Sequence, residues 1–347
     1  MGPNIHYPVL GALRTYASTK QPVVIGGSNV DIVASLLPPT ALGDIPKDGR
    51  MVNGTISQCR GGVGRNIADA LAKLNTNPLL ITAVGNDEMG QFLTEGLKHM
   101  DTKGVLQCSH EASASCCVIV DQDGECKFII GNMNMHENIS LNWIKKFEQE
   151  LVNASFLVFD GNLKPNAMNY ILQICHTHNI PIWFEPTDIA VCDIIKSTQL
   201  TSITHLSPNF NELKRMTSVL TGKDYSHINP VNTEQFISES ITLAKHFPTH
   251  TVLMVTLGRH GMVLICGDSV NYYEALPVDN IVNASGAGDC AVAGYIAAQL
   301  CGNREIERVS TALSCARQSL MSSTPVPSQL SLNISNVNPI SMKTSSS

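Results

Sequence analysis

No apolar run approaches the roughly 18 residues that a bilayer-spanning helix needs, so the sequence offers no membrane span. Basic clusters are missing too. The chain carries 23 Lys and Arg against 29 Asp and Glu, a net charge of −6, and leaves no electrostatic footprint for a nucleic acid or an anionic membrane surface. Among 11 cysteines there is no Cys-x-x-Cys pair, which removes zinc-ribbon and thioredoxin-type chemistry. Apart from Cys116-Cys117 they are scattered and mostly apolar-flanked, as reduced core thiols of an intracellular protein are. Without a signal peptide, Asn-x-Ser/Thr triplets such as Asn283-Ala284-Ser285 read as chance, and the expected location is the cytoplasm. Internal repeats are absent. No Gly-Lys-Ser/Thr closes a Walker A loop, and no Gly-x-Gly-x-x-Gly follows the first apolar strand, so a dinucleotide fingerprint is excluded as well.

What remains is a chain of 347 residues, long enough for one large α/β domain with a proper core. Residues 1–21 show no sustained period and read as a flexible lead-in or linker. Residues 323–347, rich in Ser, Asn and Pro, read as a loosely held tail. Between them, over 22–322, short apolar runs alternate with helical stretches. "PVVIGG", "PLLITAVG", "FLVFDG", "IPIWFEP", "ITHLSP" and "TVLMVTLG" read as buried strands. "GRNIADALAKL" puts Ile67, Ala70, Leu71 and Leu74 on one helical face, and "MGQFLTEGLKHM" reads as the next helix. Apolar strands separated by helices imply a mostly parallel sheet covered on both faces, with ligands at the carboxyl ends of the strands. Two regions break the rhythm, 33–57 and 112–131, the second with Asp123-Gly124 at a hairpin turn. A small sheet lying over the site as a lid, and an edge hairpin of the main sheet, both fit this pattern.

Two glycine clusters carry the chemistry. "NASGAGDCAVAG" sets Gly286, Ala287, Gly288 and Asp289 before a helix-forming run. A helix N-terminus presents unpaired N–H groups to an anion, and glycine lets the backbone come close to it. A carboxylate there is odd for a phosphate binder unless it takes the proton of a hydroxyl that attacks phosphorus. A tight turn followed by a first-turn helix charge is the plainer alternative. The second cluster, "GGVGRNIADALAKL", holds Gly62, Gly64, Arg65 and Asn66, whose amide can both donate to and accept from a hydroxyl-rich ligand. Upstream, "GGSNVD" puts Asn29 and Asp31 at the end of the first strand, where a carboxylate suits a vicinal diol. A loop aspartate satisfied by its own backbone is the common alternative.

Together these motifs resemble the PfkB (ribokinase-like) carbohydrate kinases. "GGVGRNIADALAKLNTNPLLITAVGNDEMG" is similar to the first signature of that family and "NASGAGDCAVAG" to its second. "LSPNFNEL" carries the Asn-x-x-Glu pattern as Asn209 and Glu212, and "VTLGRHG" is similar to the strand before the nucleotide loop. The resemblance implies a three-layer α/β/α domain with a small β lid, ATP as donor, Mg²⁺, and K⁺ in many relatives. By position, it implies Asp289 as general base and the N–H groups of Gly286, Ala287 and Gly288 as the anion hole. Asn29, Asp31, Gly62, Gly64, Arg65, Asn66, Asp160 and Asn162 would surround the acceptor. Asn209, Thr256, Gly258 and Gly261 would line the nucleotide, Asn209 and Glu212 would organise Mg²⁺ through water, and Asp279, in residues 279–283, would serve a monovalent cation. The implied partner is a small nucleoside or sugar, with a homodimer through the lid edge also permitted.

Within the family, "GGSNVD", the arginine of "GGVGRN", "DGNL", "FEP" and Asn283 are most similar to the pseudouridine kinases. Asn283 and Glu185 stand where many ribokinases carry Asp. A kinase for another nucleoside or ribose-type sugar is the alternative, and a nucleoside-binding module without turnover is the alternative of another class. Asp289 and the Asn-x-x-Glu pattern argue against the module, since a pure binder needs no base. His136 and His260 read as surface or adenine-side residues, Met133 and Met135 as gap fillers, Cys290 as a small packing residue, and Ser319 and Ser322 as neighbours of the cation segment.

Overall fold

Period-two alternation along single strands sorts the core onto two faces. Val23 and Ile25 enter one buried cluster while Val24, between them, enters the other. The structure is a computed structural model and describes residues 20–37, 48, 50–120, 126–229, 232–333 and 337–341. In chain order its first elements are β1 (Val23–Ile25), β2 (Asn29–Leu36), β3 (Gly54–Gly61), α1 (Val63–Lys73), β4 (Leu79–Gly85) and α2 (Glu88–Glu95). Next come β5 (Val105–Cys108), β6 (Ser115–Val120), β7 (Cys126–Asn132), α3 (Leu141–Ile144), α4 (Glu148–Val152), β8 (Leu157–Asp160), α5 (Pro165–His178) and β9 (Ile182–Glu185). The rest is β10 (His205–Leu206), α6 (Phe210–Thr221), α7 (Thr233–Ala244), β11 (Val252–Thr256), β12 (Met262–Cys266), β13 (Ser269–Tyr273), α8 (Ala287–Leu300), α9 (Glu305–Leu320) and β14 (Ile340–Ser341).

Among the described residues the main sheet has ten strands in the order β14-β13-β12-β11-β10-β9-β8-β1-β4-β5. From β5 to β11 every neighbour is parallel, and β12, β13 and β14 continue antiparallel. Helices α1, α8 and α9 cover one face with Ile67, Leu71, Ile296 and Val309. Helices α5, α6 and α7 cover the other with Ile171, Leu213 and Phe236. Each fully buried aliphatic or aromatic side chain contributes roughly 1.5–3 kcal/mol of transfer free energy. The expected three-layer α/β/α body is therefore present, and the expected helix over "MGQFLTEGLKHM" stops early, capped at Gly96.

Strands β2, β3, β6 and β7 do not extend the main sheet. Among the described residues they build a separate four-stranded sheet in the order β3-β2-β6-β7. Its second strand begins earlier than expected, at Asn29, which faces Gly61 on β3. The Asp-Gly turn at 121–124 and the lead-in over residues 1–19 lie outside the described residues. Asp87 pins the seam between the sheets. It accepts from the backbone N–H of Gly90 (2.7 Å) and Ser113 (2.8 Å) and from the Ser113 hydroxyl (2.6 Å), which in turn accepts from Gly85 N–H (2.8 Å).

The boundary expected at residue 322 falls short. Val326 and Leu330 are buried in the cluster of α1, α8 and α9, and Ile340–Ser341 pairs with β13. Leu332 and Val337 pack against the same cluster, so a few apolar residues dock the Ser- and Pro-rich stretch, a signal that average composition conceals. Among the described residues no helix is long and apolar enough to cross a membrane.

Candidate active site

Helix α8 begins at Gly286, whose φ of 80° lies in the left-handed region. A Cβ there would come within 2.4 Å of the Pro325 carbonyl oxygen, so conformation and space both require glycine. Around Gly288 nothing lies within 4 Å of where a Cβ would be. No side chain caps this helix N-terminus, and its first N–H groups remain available to an anion. One turn in, Asp289 is half-buried and its Oδ2 accepts a 2.8 Å hydrogen bond from the Asn66 side-chain amide. Burial pushes the Asp289 carboxyl up to about 7. The Asn66 hydrogen bond opposes that rise, while the charges of Asp160 and Asp31 add to it. A carboxyl titrating there can take a proton near neutral pH.

Asn66 reaches Asp289 because α1 starts against the end of β1. Gly62 has φ of 97°, and a Cβ on Gly64 would sit 2.6 Å from the Gly26 Cα. Asp160, expected beside the acceptor, is instead fully committed to this junction. Its Oδ2 accepts from Gly27 N–H (2.8 Å) and Gly64 N–H (3.0 Å), and its Oδ1 from Asn162 N–H (3.1 Å). It is 1% exposed. Asp160 and Gly64 therefore brace the site from behind, and Gly62 serves the turn. Arg65 is engaged as well. Its guanidinium donates to Arg60 O (3.1 Å), Asn66 Oδ1 (3.0 Å) and Asp69 Oδ2 (2.7 Å), and its charge favours the ionised forms of Asp31 and Asp289. It orients Asn66.

Asn29 and Asp31 belong to the small sheet, not to the end of β1 as expected, because the chain turns at Gly26-Gly27 and starts β2 at once. Asp31 Oδ1 accepts from the Asn29 amide and from the Cys116 thiol (3.0 Å). Burial raises the Asp31 carboxyl, and these two hydrogen bonds moderate the rise. Asp31 lies directly opposite Cys59 on β3 and Cys116 on β6, so the three share one face of the sheet. The contribution of Cys116 was missed, since local sequence carries no sign of a partner 85 positions away.

Across the cleft, Asn209 caps α6. Its Oδ1 accepts from Asn211 N–H (2.9 Å) and Glu212 N–H (3.0 Å), and Glu212 Oε2 accepts from Asn209 N–H (2.8 Å), a reciprocal capping box. Burial lifts the Glu212 carboxyl to about 7, with the charges of Asp188 and Asp289 adding to it. Glu185, at the end of β9, is held well above the usual carboxylate range by burial and by the Glu212 charge. Its Oε2 accepts from the Ser207 hydroxyl, which itself accepts from the Trp183 indole N–H (2.5 Å). Among the described residues no group of three or more His, Cys, Asp or Glu converges as a metal cage. The Asp289 charge nonetheless adds to the rise at both Glu185 and Glu212, a surplus of negative charge that fits a hard divalent cation held mainly by water and phosphate.

Thr256 ends β11, where its N–H donates to Pro208 O (3.0 Å) and the strand bridges to Asn209. Gly258 (φ 57°) stands in open space, and Gly261 (φ 89°) packs against the Tyr273 carbonyl. Asp279 is exposed; the segment after it is tied to α9 by Val282 and Asn283 N–H groups donating to Leu320 O (2.8 and 3.3 Å). Asn283 Oδ1 accepts from Ser285 N–H (2.9 Å), shaping the approach to α8. Ser319 donates to Pro325 O (2.8 Å) and Ser322 pairs with Thr324. His136, expected near the surface, is buried with Nε2 3.3 Å from Ser28 O. Met135 and Cys290 are buried packing residues.

The pfkB family carbohydrate kinase profile matches residues 23–328. Pseudouridine kinase of Arabidopsis thaliana is 26% identical, covering 90% of this chain and 94% of its own length. Pseudouridine kinase of Escherichia coli (strain K12) is 26% identical, covering 86% and 90%. In three dimensions the chain is similar to Arabidopsis thaliana ribokinase, solved with ribose and ATP, at a TM-score of 0.73 and 21% identity over 90% of this chain and 97% of that one. The profile spans the body, the small sheet and both glycine clusters, and the chain belongs to the pfkB family of carbohydrate kinases.

Proposed function

We propose that the protein moves the γ-phosphoryl group of ATP onto the 5′-hydroxyl of pseudouridine, giving pseudouridine 5′-phosphate and ADP. The observation that carries this reading is Asp289. It stands at an uncapped helix N-terminus, held by Asn66, with a carboxyl near 7 and Asp31 on the facing sheet. Asp289 accepts the hydroxyl proton as the oxygen bonds to phosphorus, and the N–H groups of Gly286, Ala287 and Gly288 receive the charge of the transferring group. Asp31 and Asn29 hold the ribosyl hydroxyls, with Asn66 beside them, and Asn162 stays a candidate contact. Thr256, Gly258 and Gly261 line the nucleotide. Mg²⁺ would sit on the Asn209 and Glu212 side, where it would neutralise the donor phosphates. A K⁺ ion near residues 279–283, beginning at Asp279, completes the expected set.

Pseudouridine is favoured over ribose by the two relatives named for that activity. Similarity to a ribokinase favours the second reading, a ribose-type acceptor. Free cysteines throughout the described residues support action in the cytoplasm. Exposed Ile56 and Ile130, on the same face of the small sheet, support a homodimer through the lid. The deciding experiment is ADP release with ATP, Mg²⁺ and K⁺ against pseudouridine, uridine, adenosine and ribose. Preference for pseudouridine is expected. Turnover with another acceptor moves the assignment to that compound, and ligand-induced thermal stabilisation with no ADP release makes the protein a binder.

A further inference from the structure

A cavity of about 370 Å³ lies between β3, α1, α2 and the segment after α9. Asp31, Asn66, Asp289 and the glycines of α8 do not line it. Three permanent cations do, Arg60, Arg65 and Lys73, together with His99, and they face a single carboxylate, Asp69. That carboxylate is paired with three basic side chains, although its Oδ1 has no hydrogen bond among the described residues. Its oxygens lie 2.7 Å from Arg65 Nη2, 3.1 Å from Lys73 Nζ and 2.9 Å from His99 Nε2.

Two features mark this as a built site rather than a satisfied ion-pair network. Arg65 is 5% exposed, yet its Nε has no hydrogen-bond partner among the described residues. A buried guanidinium N–H left empty costs free energy unless a ligand or water takes it. Arg60, on β3, is fixed in advance. Its guanidinium lies 4.1 Å from the centre of the Phe92 ring and its Nε donates to Phe92 O (2.7 Å). Gly96 makes room for this, since a Cβ there would meet the Arg60 Cδ at 2.2 Å. The terminal nitrogens of Arg60 have no partner among the described residues, leaving its fork free to grip planar or tetrahedral oxygens.

We propose that this cavity binds a small phosphate-bearing anion, at a site separate from those of the nucleotide and the acceptor. Arg60, Arg65 and Lys73 supply the charge, and the Arg65 Nε–H supplies a donor that the fold leaves open. Because Arg60 sits on the small sheet and Arg65 and Lys73 on α1, a bound anion would tie lid to body. This proposal does not depend on the acceptor.

The test is calorimetric titration of inorganic phosphate, and in parallel ribose 5-phosphate, into the full chain without nucleotide. The expected result is saturable binding that weakens tenfold or more in Arg60→Gln and Lys73→Gln and persists in Asp289→Asn. Tighter binding of ribose 5-phosphate than of phosphate identifies a phosphate monoester as the ligand; the reverse identifies the free anion. Both variants change partly exposed side chains, and circular dichroism checks that each folds. No saturable binding to the wild type, or equal binding in both folded variants, overturns the proposal. ADP release by the same preparations is a separate readout, so loss of the kinase reading and loss of this site are distinguishable.

Discussion

Asn66 donates to Asp289 over 2.8 Å across 223 positions of sequence, joining the two glycine-rich motifs through one hydrogen bond. The amide favours the ionised carboxylate, so removing it must raise the Asp289 pKa further. Asn66→Ala is expected to move the acid limb of the kcat/KM profile to higher pH, whereas a purely structural loss would lower activity equally at every pH.

Asp289→Asn removes the base while keeping size. Turnover should drop by about 10² to 10⁴, the usual range for a positioned general base, with acceptor binding by calorimetry nearly unchanged. Wild-type turnover in this variant would end its assignment as base.

Activity and stability should respond to pH in opposite directions. With Asp289 near 7, kcat/KM should fall about tenfold per pH unit below its apparent pKa. The carboxyls of Asp289, Glu212 and Glu185 are all raised in the folded state, so between about pH 4 and pH 7 the native chain binds more protons than the unfolded one. Their contribution to stability is present in full below the ordinary carboxylate pKa and is lost as pH climbs through the raised values. The melting temperature of the ligand-free protein is expected to decline over that interval; an increase would contradict these shifts.

Two glycines at one turn should separate folding from chemistry. Gly286→Ala places a side chain in the left-handed region and against the Pro325 carbonyl, costing about 1–2 kcal/mol for conformation alone. Gly288→Ala meets open space, so its melting temperature should hold while a methyl group in the anion position suppresses turnover.

Asp160 and Asp31 offer the same contrast among carboxylates. Asp160→Ala abandons two buried N–H groups and one partly buried, and should destabilise by several kcal/mol, at about 1–3 kcal/mol for each buried group. Asp31→Ala should instead raise the acceptor KM and leave the melting temperature close to wild type. Urea unfolding beside acceptor kinetics separates the two.

Much of this was legible beforehand because its signals are local. Gly286-Ala287-Gly288-Asp289 precedes a helix in sequence as in space, and the strands from Val23 to Thr256 announce themselves as apolar runs. The bonds of Asp160 to Gly27 and Gly64, 133 and 96 positions away, were not legible, because a carboxylate at a strand end looks the same whether it faces a cleft or turns back onto the backbone. For Arg65 the partners were local, Asn66 beside it and Asp69 one helical turn on, and the i, i+4 pairing was there to be read in the helix. The antiparallel β12 and β13 hairpin was not read from the sequence at all, although Gly267-Asp268 stands at its turn between two apolar runs.

Asp31 rides on one sheet while Asn66 and Asp289 are rooted in the other body, and the two bodies meet at the seam that Asp87 and Ser113 pin. In the proposed reaction the acceptor would thus act as a strap. A hydroxyl pattern that reaches both Asp31 and Asp289 would draw the sheet to the body, and one that reaches only one would not. Selectivity would then be exercised as a mechanical gate, with the wrong sugar admitted yet unable to draw the halves together.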